Sequence, residues 1–111
     1  MSITVKVIDG TLGRPAEGVV VRIDTRVGDG WVNKAEGCTA QNGYLEPPEA
    51  SRYLDPGIHR LEVNADTYFA TLGVLAFQPR FALIFRILNP SEDISLVVMI
   101  TSFSHMICRA N

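Results

Sequence analysis

A chain of 111 residues with 47% hydrophobic and 20% charged residues, and no low-complexity run, reads as one domain over residues 1–111 with enough apolar content for its own core. A formal net charge of -2 without a basic stripe excludes an electrostatic case for nucleic acid or for an anionic membrane surface. No apolar run approaches the roughly 20 residues of a membrane-spanning helix, and the start lacks the charged and apolar regions of a signal peptide, so the expectation is a cytoplasmic protein with no membrane partner.

In chain order, Ile3 to Ile8 predicts the first strand. Ile3, Val5 and Val7 fall on one face, Thr4, Lys6 and Ile8 on the other. Thr11 to Ala16 is a turn-rich connection punctuated by Gly13 and Pro15. Gly18 to Thr25 predicts a half-buried strand and Trp31 to Cys38 another, joined by the turn Gly28 to Gly30. Asn42-Gly43 is the strongest turn signal, because both residues tolerate the positive φ of tight turns. Pro47 and Pro48 forbid regular pairing beyond Tyr44, so a fourth strand there must be very short or on an edge, and Glu49 to Pro56 is loop.

Gly57 to Val63 resumes a strand in which His59 shares a face with Leu61 and Val63, which makes it a packed core residue rather than a catalytic base. Asn64 to Gly73 predicts one short helix, with capping candidates at its start and glycine at its end. Arg80 to Leu88 is a long strand that Asn89-Pro90 stops. Ile94 to Asn111 reads as two adjacent strands. Ile94, Leu96, Val98 and Ile100 form a wholly aliphatic core face, whereas Ser95, Val97, Met99 and Thr101 form a face too apolar for open water and too polar for a deep core. The half-polar faces of the first and last strands therefore line a pocket or an interface. Short strands with turn chemistry between them indicate an all-β sandwich.

Cys38 and Cys108, without secretory context, read as two reduced thiols. His59 and His105 sit in no Cys/His spacing of a metal site, so no metal and no cofactor is expected.

The segments Val5–Asp9, Gly13–Ala16, Ala40–Gly43, Tyr53-Leu54, Pro56-Gly57, Tyr68–Gly73 and Ser102–Ser104, in this order, resemble the transthyretin superfamily. The resemblance implies an eight-stranded, prealbumin-like β-sandwich with one short helix, assembled as a homotetramer, a dimer of dimers, around a central channel. It implies one of two activities, hydrolysis of 5-hydroxyisourate in purine catabolism or carriage of a thyroid hormone. Position by position, the hydrolase pattern is lost. Lys6 stands where the hydrolase has a histidine, Tyr44 where it has an arginine after the turn, and Ser95 where it has a second histidine; of its terminal tetrapeptide only Arg109 remains. Lysine at the first position and a hydroxyl residue at Ser95 are similar to the carrier, which lacks a tyrosine at position 44.

Two readings follow. In the first, a divergent hydrolase-like enzyme acts on a small organic substrate other than 5-hydroxyisourate. Lys6 serves as a cation or amine, Tyr44 as proton donor and Ser95 as polar wall, with Arg109 as the cationic neighbour that would lower the lysine pKa if it pointed into the channel. In the second, a non-catalytic carrier binds a small molecule through Lys6 and the contacts of Ile8, Val97, Met99 and Cys108. The reactive set of Lys, Tyr, Ser and Cys places the enzyme ahead. Residual 5-hydroxyisourate hydrolysis comes last, since losing a positioned base costs about a hundred- to ten-thousand-fold in rate.

Overall fold

The structure, a computed structural model, describes residues 2–45, 54–89 and 91–111. Its strands are β1 (Ser2–Asp9), β2 (Arg14–Pro15), β3 (Val20–Val27), β4 (Gly30–Cys38), β5 (Gly57–Asn64), β6 (Arg80–Ile87), β7 (Asp93–Ile100) and β8 (His105–Arg109), with helix α1 (Asp66–Thr71) between β5 and β6. They form two four-stranded sheets, ordered β2-β1-β7-β8 and β4-β3-β5-β6. The fold is thus the all-β sandwich with one short helix expected from the pattern.

Alternation decides the core. Ile3, Val5 and Val7 of β1 and Ile94, Leu96, Val98 and Ile100 of β7 are buried, and they meet Val21, Ile23, Leu61, Val63 and Ile87 of the facing sheet. β1 and β7 run parallel in continuous register from Ser2 opposite Asp93 to Asp9 opposite Ile100. Two aliphatic stripes from opposite ends of the chain are thereby fused into one wall of the sandwich. At ~25 cal/mol per Å² of apolar surface, burial of such stripes is the main stabilising term.

Several expectations are refined. β2 lies inside the stretch read as a plain connection. The Asp9 Oδ1 accepts from the amides of Thr11 (2.9 Å) and Leu12 (3.0 Å), which folds the chain back so that Arg14 and Pro15 pair with Asp9 and Ile8. The second predicted strand is shifted to Val20–Val27, with a register irregularity between Ile23 and Asp24. The helix is shorter than expected. Asn64 Oδ1 accepts from Asp66 N at 3.1 Å, and the left-handed Gly73 (φ 72°) ends it, with Val74 N returning to Phe69 O at 2.9 Å.

The Asn42-Gly43 turn is built as expected, and its glycine is obligatory. Gly43 has φ 83°, and a Cβ there would lie 2.6 Å from Val7 O and 3.0 Å from Pro15 Cβ. Tyr44 and Leu45 then make bridges to Lys6 and Thr39, a very short edge strand. Pro47, Pro48, Tyr53, Pro90 and most of the Glu49–Pro56 loop lie outside the described residues.

His59 is fully buried, as its strand parity requires. Its Nε2 donates to Asp55 O at 2.7 Å, which leaves Nδ1 to accept from the Thr25 hydroxyl at 2.9 Å, and Phe85 packs alongside. His105 stacks flat on Phe81 at 3.9 Å and meets Gln78 Oε1. Both cysteines are free and exposed, on different sheets.

Candidate functional site

The candidate residues are sorted by register on the outward face of the β2-β1-β7-β8 sheet. One transverse row runs Tyr44, Lys6, Val97, Cys108, each opposite the next. A second runs Pro15, Ile8, Met99, Met106. A third begins Thr4, Ser95, where Ala110 N donates to Ser95 O at 2.7 Å. Neighbouring strands lie ~4.8 Å apart, so the first row crosses the sheet in roughly 14 Å. Seven of the eight predicted site residues thus share one face, although they come from three regions far apart in the chain.

Lys6 and Tyr44 are in contact. The Lys6 Nζ lies 5.2 Å from the centroid of the Tyr44 ring, a cation–π geometry. The ring is placed by the turn before it, in which Asn42 Oδ1 accepts from Tyr44 N at 3.0 Å. Val97 and Ile8, both half-buried, supply an apolar floor beside this pair. Ser95 is fixed through its main chain, its N–H donating to Asn111 Oδ1 at 3.0 Å.

Arg109 is the exception. It pairs with Leu96, a core-facing residue, so strand parity places it on the opposite face from Lys6. There its guanidinium reaches Glu92 at 3.4 Å and Asn111 at 3.2 Å. Arg109 therefore does not stand beside Lys6 on the outward face. The alternation that sends Cys108 outward necessarily turns its neighbour away.

The same register adds to the outward face a residue that the sequence did not single out, Met106, beside Thr4, which alternation had already placed there. The signal for Met106 was the same alternation, extended along β8.

Two further polar clusters are hydrogen-bonded internally, although the buried Arg22 Nε of the first is left without a partner among the described residues. On the other sheet, buried Asp24 accepts from Arg60 Nε (3.2 Å) and Nη2 (2.8 Å), from Asn33 Nδ2 (3.1 Å) and from Arg22 Nη2 (3.4 Å), while Arg60 stacks over Trp31 at 4.4 Å. Burial alone would raise the Asp24 pKa. The hydrogen bonds from Arg60 and Asn33 and the charge of Arg22 outweigh it and hold the carboxyl below its ordinary value. At the other end of the sandwich, Tyr68 donates to Asp9 Oδ2 at 2.6 Å. Burial and this carboxylate push the phenol up to about 12.

Two hollows of the described residues lie elsewhere. A cleft of about 460 Å³ is lined by Arg14, Glu17, Gln41, Tyr68 and Thr71, and an apolar hollow of about 300 Å³ by Leu12, Phe69, Leu72 and Val74. Neither includes Lys6 or Tyr44.

Among known proteins, the family described as HIUase/Transthyretin matches residues 3–110. A probable 5-hydroxyisourate hydrolase of Caenorhabditis elegans is 24% identical over 110 residues, covering 99% of this chain and 81% of that protein. The crystal structure of sea bream transthyretin in complex with thyroxine superposes with a TM-score of 0.87 at 23% identity, covering 99% of this chain and 95% of that one. The crystal structure of (S)-allantoin synthase gives 0.88 at 22% identity; it covers 99% of this chain, which corresponds to 43% of that protein.

Proposed function

The chain belongs to the HIUase/transthyretin family, and from that premise we propose that its Lys6 face lines a pocket between copies in a homotetramer and binds a small organic molecule other than 5-hydroxyisourate. The observation that carries this reading is the contact of Lys6 Nζ with the Tyr44 ring. An ammonium over a ring face is suited to a carboxylate, enolate or phenolate on the ligand. Val97, Ile8, Met99 and Cys108 give apolar contact, and Ser95 gives a hydroxyl at the margin. The relative solved with thyroxine supports small-molecule binding on this scaffold.

Turnover is the second reading, favoured by the Tyr44 hydroxyl beside a cation. Lys6 would polarise a carbonyl while Tyr44 protonates the product. The placement of Arg109 on the other face puts binding ahead of turnover.

Native mass spectrometry of the protein purified from its own cells tests the proposal. The expected result is a tetramer that retains a small molecule, and a Lys6→Ala tetramer that has lost it. A clean monomer at micromolar concentration, or retention unchanged by Lys6→Ala, would overturn it.

A further inference from the structure

On the outward face of β7 and β8, Met99 stands directly opposite Met106, and Cys108 follows Met106 by two residues on the same side, opposite Val97. Of the chain's 3 methionines and 2 cysteines, two methionines and one cysteine are thus gathered on adjacent positions of one strand pair. Cross-strand neighbours have Cβ atoms about 5 Å apart and i, i+2 neighbours about 7 Å, within reach of three converging side chains of this length. All three are exposed: Met106 by 55% and Met99 by 36%, with the thiol of Cys108 free. We propose that Met99, Met106 and Cys108 form a three-sulfur site for a soft monovalent metal ion, copper(I).

The donor set selects the metal. Thiolate and thioether ligands favour copper(I), whereas zinc takes thiolate, imidazole and carboxylate, usually four of them. Among the described residues no group of three or more His, Cys, Asp or Glu is placed to hold a metal. The positions flanking the sulfurs in these rows are Pro15, Ile8 and Val97, and the Thr101 hydroxyl beside Met99 is engaged by Ser104, so the site is bordered largely by apolar groups. Reading the chain for Cys and His spacing could not reveal such a site, because two of its three donors are methionines.

Met99 must move to complete it. Its side chain lies over Gly10, where an added Cβ would be 2.9 Å from Cγ and 3.0 Å from Sδ. Three rotatable bonds let the thioether swing from β1 toward β8 at small cost. On binding, one Cu–S bond forms to Cys108 as its S–H bond breaks, and two form to thioether lone pairs. The copper stays copper(I), and one proton is released per ion.

Anaerobic titration against copper(I) bicinchoninate decides the matter. The wild-type protein should take one copper(I) per chain from the chelator, with release of one proton. Cys108→Ser, and the double variant Met99→Leu/Met106→Leu, should each weaken uptake at least tenfold, and Cys38→Ser should behave as wild type. Leu and Met are of similar volume, so the double variant should keep the fold, which far-ultraviolet circular dichroism checks. No uptake by the wild type overturns the proposal. So does full affinity in the double methionine variant, which would leave only a lone thiol, or loss of uptake in Cys38→Ser. Met99 and Cys108 also contact the organic molecule in the reading above, so its retention through Lys6 is measured separately, on the Lys6→Ala tetramer.

Discussion

The ammonium of Lys6 lies 5.2 Å above the ring of Tyr44, a residue 38 positions later in the chain that the Asn42-Gly43 turn brings beside β1. This pair separates the two modes of action. Tyr44→Phe keeps the ring under the cation and removes only a hydroxyl. A binding protein should then lose about 0.5–1.5 kcal/mol of ligand affinity, measured by calorimetry, whereas an enzyme using Tyr44 as proton donor should lose on the order of a hundredfold in turnover with little change in affinity.

The hydrolase activity of the family should be lost here. Lys6, Tyr44 and Ser95 offer no histidine on the outward face, and Arg109 is turned to Glu92. Freshly generated 5-hydroxyisourate, followed by its ultraviolet decay, should disappear at the buffer rate. Acceleration of a hundredfold or more would show that another group on this face supplies the base.

Parity on β1 makes neighbouring residues answer differently to the same substitution. Val7 is fully buried, so Val7→Ala should lower unfolding free energy by about 1–3 kcal/mol through lost burial and cavity formation. Lys6→Ala, on the open face, should change it by less than about 0.5 kcal/mol. Urea denaturation of the two variants compares them, and equal losses would contradict the register.

Tyr68 gives the sandwich an alkaline limit. Its folded pKa, about 12, lies above the ordinary value of 10.0, so the protonated phenol is the form that the fold stabilises. That contribution is complete below pH ~10 and is lost as pH rises toward 12. Wild type should therefore weaken over this interval relative to Tyr68→Phe. At neutral pH the variant should be less stable by about 1.5–3 kcal/mol, the usual range for a hydrogen bond to a carboxylate. Denaturant titrations from pH 7 to 12 measure both effects.

Asp24 gives the corresponding acid limit, with opposite sign. Its folded pKa is lowered, so its contribution is present above the ordinary carboxylate value near 4 and disappears as pH falls through the folded value. The stability difference between wild type and Asp24→Asn should shrink below pH ~4. A difference that stayed constant down to pH 2 would mean that the carboxylate charge, and hence its pairing with Arg60, contributes nothing.

Period-two alternation was sufficient to identify β1, β5, β6 and β7, the core stripe Ile94–Ile100 and the burial of His59, because each depends on residues within a few positions of one another. The same holds for the Asn42-Gly43 turn, a local conformational requirement met by residue type. The sequence also showed that Lys6, Ser95 and Met99 lie on half-polar faces. It did not contain which residue stands beside which. The parallel register that sets Lys6 against Val97, the turning of Arg109 toward Glu92, the Asp9–Tyr68 and Asp24–Arg60 pairs and the opposition of Met99 and Met106 all join positions that are distant in the chain or on different strands. Such pairings follow from how the strands dock as a whole. A shift of two residues between two strands would keep every side chain on its face while exchanging every neighbour across the sheet.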